Sequence, residues 1–579
     1  MDFEFLLKKY ASDHPKGLDQ NFAVFEEGKK YFVGASLPVI GPKYFLRSSG
    51  LLVPLQAAIE SAPIDSTYRY LPLSELLHVE ITLEKIVNII QQLNRDDFIS
   101  ACAKFRELSH PANKSGELEK LIEKYLPEIH KLASPLLPQN YKYFGPQATL
   151  VLMKLALSKG SDNENLPKVS IELFVLLCLA IQDFFAPKDS EDSQKRIRIE
   201  LPSNYRIHNQ YNPKFDLKQF SARWEAKSQD SQELRNQYQS ATGFEVEVMA
   251  SFAAGLAGQE SDIRMNFDFH LEEGSELEVQ MQKALHRISA DIETFAKEME
   301  DPYRDNFIWD FGIFLRYPVI RRSDNRFVVV DPSFLLERGL GWHLVYDAIE
   351  NYDEHERKRF NGKVSALAEA QTVGLINEHL GSAWDERIVT GTEIKRIFGG
   401  HGIKSADVAI EFEDSWLVVE ISALRPWYKA LAATSEEDYE ILLNQLLDEA
   451  KQSVSTCVRL LQHADSPYAN FRSVPSGSKM FPIVVLTEKF ISNPYILMNV
   501  REKLKVAFSD LDSRVKPVEV LNLEEFETLL LMARHFGHSI VGLLSKKYES
   551  NFWSDSVNNF LAHHYISELN QLNELENDI

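Results

Sequence analysis

Two acids set inside apolar runs are the residues of this chain best placed to do chemistry. The stretch Lys404-Ser-Ala-Asp-Val-Ala-Ile-Glu-Phe-Glu-Asp-Ser-Trp-Leu-Val-Val-Glu-Ile-Ser-Ala carries Asp407 and Glu420. Its alternation predicts two β-strands, with Val408, Ile410 and Phe412 on one face of the first and Leu417, Val419 and Ile421 on one face of the second. The opposite faces then carry Asp407, Ala409 and Glu411, and Trp416, Val418, Glu420 and Ser422. If the loop is the four residues 412–415, Asp407 stands across from Glu420 and both carboxylates share a face. A three-residue loop would separate them, because a one-residue slip inverts every side chain. Converging carboxylates beside an apolar core are costly unless a cation compensates them. A hard divalent ion such as Mg²⁺ does so, retains waters and can bind a phosphate oxygen. It can then activate a water and stabilise charge on a scissile phosphate. The plainer alternative is an Asp407 that caps a strand entrance and a Glu420 that pairs with a lysine.

The pattern of an Asp opening one strand, followed by Trp416-Leu-Val-Val-Glu-Ile-Ser-Ala on the next, resembles the core of PD-(D/E)XK nucleases. Asp407 matches the family's Asp, and Glu420-Ile421-Ser422 matches its (D/E)-x-K triplet. The resemblance covers roughly residues 360–530. It implies a restriction-endonuclease-like α/β domain, a mixed central sheet flanked by helices, and Mg²⁺- or Mn²⁺-dependent cleavage of nucleic acid. It further implies a metal held by Asp407, Glu420 and the Ile421 carbonyl, with Glu369 on the preceding helix completing the shell. Ser422 stands where the family has lysine. Lys451, from the following helix, or Lys404 would have to supply that charge, with Gln452 orienting substrate. The alternative is a fold kept without turnover, as a nucleic-acid-binding or scaffold module. Large proteins of this layout resemble those acting in bacterial defence against phage and mobile elements.

The elements that must position these residues follow from the periodicity. Residues 1–75 read as a small mixed α/β segment and 76–304 as mainly helical, with Leu83, Ile86, Val87, Ile90 and Leu93 at helical spacing. Segment 270–300 reads as one long charged helix. A lead-in at 305–360 offers strands at Phe314–Ile320 and Arg326–Pro332 around the turn Arg322-Ser-Asp-Asn, then a helix at 333–350. Residues 361–579 alternate helix and strand: helix 363–380, strands near 386–390, 405–412 and 416–421, and helix 436–462. A strand from Phe481, a helix at 493–509, a strand from Pro517 and a helix opened by Asn522 follow. A helical tail closes the chain. Such alternation indicates an α/β layer architecture.

Bulk properties narrow the classes. The chain has 579 residues, 44% of them hydrophobic and 26% charged, which is globular composition. With 85 acids against 63 bases its formal net charge is −22. That argues against a general polyanion-binding surface while leaving room for a local basic groove. Arg425, Trp427, Tyr428 and Lys429, directly after the second acid-bearing strand, could grip a backbone and stack on a base, although packing against the sheet is the simpler account. Lys195-Arg196-Ile-Arg198 and Arg357-Lys358-Arg359 are lesser candidates. His535 and His538, at i, i+3 on an expected helix, lack a third ligand at recognisable spacing. His401 sits in a glycine-rich turn. Cys102, Cys178 and Cys457 are far apart, which argues against a disulfide framework and fits a reducing cytoplasm. The most apolar run, Leu173 to Gln182, falls short of the roughly 20 residues that a membrane span needs, so it reads as a buried helix. Expected partners are nucleic acid and, through the helical N-terminal region, a protein; no membrane is expected.

Overall fold

The computed structural model describes residues 44–47, 52–54, 67–79, 81–109, 116–135, 137, 141–185, 217, 219–225, 227–259, 264, 266–267, 276–299, 301, 307–380, 388–398, 404–424, 436–462, 477–488, 494–550, 552–553 and 556–577. They group into two compact units. One comprises the described residues up to Leu217 with Arg235–Ala348; the other comprises 219–234, 349–424 and the residues from Glu437 onward.

The first unit is mostly helical. The apolar run forms the buried helix Ile171–Ile181, started by Ser170, whose side chain accepts from the Leu173 N–H. It packs with Pro146–Lys159, which in turn lies along Arg95–Ser109. The periodic stretch 117–133 is divided at Leu126, where Pro127 opens a second helix. Segment 270–300 is not one helix: Glu276–Ile288 stops, Ser289–Asp291 forms a strand, and Ile292–Glu298 resumes with Asp291 as its cap. That strand pairs in parallel with Val319–Arg321, which pairs antiparallel with Phe327–Val329. The expected strand from Phe314 is shorter than its apolar run, because Gly312–Arg316 is helical. The lead-in residues up to Ala348 thus belong with this unit.

The second unit is built on a mixed five-stranded sheet. Its strands are β1 (Ile388–Thr390), β2 (Val408–Glu411), β3 (Ser415–Ser422), β4 (Lys479–Leu486) and β5 (Glu519–Asn522), in the order β5-β4-β3-β2-β1. Its helices are α1 (Glu354–Leu380), α2 (Gly391–Ile397), α3 (Glu436–Gln462), α4 (Pro494–Ala507), α5 (Leu523–Phe536), α6 (Ile540–Glu549), α7 (Val557–His564) and α8 (Ile566–Asn577). Strands β1, β2 and β3 pair antiparallel, whereas β3, β4 and β5 run parallel, with α3 and α4 as the crossovers that parallel pairing requires. β3 and β4 are almost wholly buried, as expected of strands with continuous apolar runs. Ile394 of α2 and Cys457, Leu460 and Leu461 of α3 cover Ala409, Trp416 and Val418 on one face. That face also carries the acids.

Helix α5 ends at Phe536, with Gly537 in the left-handed conformation (φ 68°), so His535 and His538 do not share a helical face. Cys102, Cys178 and Cys457 are buried and free. Among the described residues, no helix is long and apolar enough to cross a membrane.

Candidate functional site

The turn between β2 and β3 closes with the Phe412 N–H donating to the Ser415 carbonyl at 2.8 Å. Trp416 then pairs with Glu411 and Val419 with Val408. One step further, this register sets Asp407 against Glu420, on the face covered by α3. The Asp407 N–H donates to the Val419 carbonyl at 3.1 Å, and the Ile421 N–H donates to Asp407 Oδ2 at 2.8 Å. A strand residue's N–H and C=O point the same way, so the Ile421 carbonyl is directed to the Asp407 side.

Helix α3 presents a polar stripe to this face. Its buried residues Leu446, Ala450, Val454 and Cys457 hold the helix on the sheet, and Glu449, Gln452, Ser453 and Thr456 recur between them at spacings of three, one and three. Gln452 Nε2 donates to Glu420 Oε1 at 2.8 Å and to the Ser405 carbonyl at 2.9 Å. Ser453 Oγ donates to the Val418 carbonyl, and Thr456 Oγ1 accepts from the Ala406 N–H. Both amide hydrogens of Gln452 are therefore committed to the protein. Here Gln452, expected to orient substrate, holds the Glu420 carboxylate. Ser422 Oγ donates to Glu449 Oε1 at 3.2 Å.

On the other flank, Thr390 and Glu393 cap α2 reciprocally. The Gly391 N–H donates to the Asp407 carbonyl at 2.5 Å. A Cβ at position 391 would lie 3.1 Å from the carbonyl oxygens of Ala406 and Asp407, so glycine lets α2 start against the acid-bearing strand.

The electrostatics are those of crowded acids. Glu420 is 4% exposed, and its Oε2 meets no hydrogen-bond donor among the described residues. Burial, then the charges of Asp407 and Glu449, push its carboxyl up to about 10, against the pull of Gln452, and a hydrogen bond between the Glu420 and Glu449 carboxyls adds to the rise. Burial raises Asp407 to about 6; the Ile421 N–H and Lys395 oppose this, and Glu369 and Glu449 add to it. Glu449 is raised too, chiefly by burial, with Ser422, Glu420 and Lys404 opposing. Carboxyls this close share a proton or need a cation between them.

The other sequence-predicted residues are less central. Lys451 pairs with Asp448 at 3.1 Å, and Glu369 is exposed on α1, within electrostatic reach of Asp407. Lys404 is exposed; its carbonyl accepts from Arg459. Arg425, Trp427, Tyr428, Lys429 and His401 lie outside the described residues. Lys395 and Glu449 were not anticipated. Among the described residues, no three acidic, histidine or cysteine side chains stand ready-made around one ion. Mg²⁺ nonetheless needs only one or two carboxylates besides water, and an all-oxygen donor set with an orphaned buried carboxylate oxygen suits it. Comparison with protein-family models, with curated proteins and with solved structures returns no match.

Proposed function

We propose that the second unit is a divalent-cation-dependent phosphodiester hydrolase of the PD-(D/E)XK kind, acting on nucleic acid, with Asp407 and Glu420 as its metal ligands. The observation that carries this reading is the shared face of these two acids on adjacent strands, with Glu420 buried and its Oε2 without a donor. The expense of that arrangement is relieved by a hard cation, and Mg²⁺ or Mn²⁺ fits the oxygen donors. When bound, the ion would polarise a phosphate oxygen and activate a water.

The chain's own residues hold the centre in shape. The Ile421 N–H fixes Asp407, Gln452 fixes Glu420, and the Ile421 carbonyl offers a third oxygen. Glu369 stands near enough to Asp407 to extend the acid field.

A second reading, a nuclease fold retained for binding without turnover, is favoured by one observation. Ser422 faces Glu449, and Lys451 is engaged with Asp448, so neither brings an ammonium to the acids, and only the exposed Lys395 and Lys404 act on them electrostatically. One experiment separates the two. Purified protein is incubated with mixed DNA and RNA in Mg²⁺, Mn²⁺ or EDTA, alongside D407A and E420A. Metal-dependent cleavage lost in both variants supports the hydrolase. Cleavage that survives both substitutions refutes the assignment, and binding without any cleavage establishes the scaffold.

A further inference from the structure

We infer that Lys395, Lys404 and Arg459 form a basic rim along the acid face of the second unit, and that this rim takes the phosphate backbone of a nucleic-acid strand. The inference rests on the reading of this unit as one that acts on nucleic acid, and it names the surface that would hold the chain.

The three cations come from three segments that converge beside Asp407. Successive turns of α3 fasten the residues leading into β2: Gln452 donates to the Ser405 carbonyl, Thr456 Oγ1 accepts from the Ala406 N–H, and Arg459 Nη1 donates to the Lys404 carbonyl at 3.2 Å. Lys404 therefore projects from a fixed backbone, and it is exposed. The Arg459 guanidinium also lies 5.7 Å from the centre of the Phe398 ring, just past α2. Lys395 follows Gly391 by one turn and adjoins the buried Ile394, so it stands beside the strand whose Asp407 carbonyl receives the Gly391 N–H. It too is exposed. Each lysine lies within electrostatic reach of one acid, Lys395 of Asp407 and Lys404 of Glu449.

Among the described residues these cations make no ion pair, whereas Lys451, Lys503 and Arg514 are answered by Asp448, Glu440 and Asp512. Arg459 is half-buried, and one carbonyl engages only one of the N–H groups that a guanidinium offers to the paired oxygens of a phosphate. The chain has a formal net charge of −22, and a phosphodiester approaching Asp407, Glu420 and Glu449 is repelled unless cations flank it. The rim supplies them. Contacts of this kind position a strand without reading its bases.

The test is binding of the full-length protein, in EDTA so that metal-dependent cleavage is stopped, to fluorescein-labelled single-stranded DNA, RNA of the same sequence and the DNA duplex. Fluorescence anisotropy is read over a series of KCl concentrations. Each phosphate contact on a single strand contributes about 0.7 to the slope of log K against log[salt], so K395Q/K404Q/R459Q is expected to lower that slope by about 2 and to weaken binding at low salt about tenfold or more. K358Q/K479Q/K505Q, which removes as much charge from exposed lysines of α1, β4 and α4, should leave the slope nearly unchanged. The arm bound most tightly identifies the sugar and the strandedness. A parent-like slope and affinity in the rim variant, an equal loss in the control variant, or no binding by the parent overturns the rim. Displacement by polyglutamate as readily as by the unlabelled strand also overturns it, in favour of an acidic protein. Metal-dependent cleavage that needs Asp407 and Glu420 would stand through any of these results, so failure of the rim is distinct from failure of the hydrolase. If R459Q melts below the parent, K395Q/K404Q decides: a slope lowered by about 1.4 supports the rim, and an unchanged slope overturns it.

Discussion

The Ile421 N–H donates to the Asp407 carboxylate at 2.8 Å, so the strand that carries one acid also holds the other. Asparagine retains an oxygen able to accept that bond, whereas alanine does not. D407N should therefore keep the fold and lose the charge. On the proposed hydrolase function, Mg²⁺-dependent cleavage by D407N is expected to fall at least about 100-fold, the upper end of what loss of a metal ligand's hydrogen-bond partner costs. Its melting temperature in EDTA should hold or rise, because one of the crowded, buried carboxyls no longer has a charge to accommodate. Cleavage by D407N close to that of the parent would remove Asp407 from the site.

Stability of the metal-free protein should depend on pH in a direction set by the same crowding. Asp407 and Glu420 are raised in the folded state to about 6 and about 10, from ordinary values of 3.8 and 4.5. A carboxyl raised on folding contributes stability that is fully present below its unfolded value and is lost as pH rises toward its folded value. For Asp407 that window runs from about pH 4 to 6, and for Glu420 from about 4 to 10. Melts in EDTA should thus show declining stability from pH 5 to 8, and saturating Mn²⁺ should oppose the decline. A metal-free protein that gains stability over this range would contradict the crowded-acid account.

Gln452 spends both amide hydrogens on Glu420 and the Ser405 carbonyl. Q452A is accordingly expected to reduce kcat and Mn²⁺ affinity by about 10–100-fold, as loss of a ligand-orienting partner does. Substrate KM should change little. A variant in which KM alone rises would return Gln452 to the role of a substrate contact.

The hairpin register was legible because the two-residue period of a strand and the spacing of the acids leave only the loop length open, and Phe412–Ser415 fixes it. The third acid was legible only in part. Glu449, Gln452, Ser453 and Thr456 interrupt an otherwise apolar helix face, and Gln452 drew notice while Glu449 did not. Lys451 precedes Gln452 by about 100° of rotation, so it lies off the stripe and pairs with Asp448. The strand Ser289–Asp291 was hidden because charged amphipathic periodicity runs through it on both sides. Its pairing with Val319–Arg321 is a long-range contact that local pattern cannot encode.

Glu519 on β5 receives Arg501 of α4 at 3.1 Å and Lys547 of α6 at 3.0 Å, all three side chains being buried. Both cations also donate to the Trp553 carbonyl, which ties the C-terminal helices to the sheet. Removing the acid leaves two buried cations without it. E519A should therefore destabilise the second unit by about 3–5 kcal/mol, as breaking a buried ion pair does. K547M should cost less, because Arg501 still pairs with Glu519 and methionine fills the space left by the lysine stem. Urea unfolding followed by circular dichroism separates these cases. An E519A protein as stable as its parent would mean that the C-terminal helices are held by apolar packing alone, and in that event a chain cut after Gly537 should retain the sheet and its Mn²⁺ affinity.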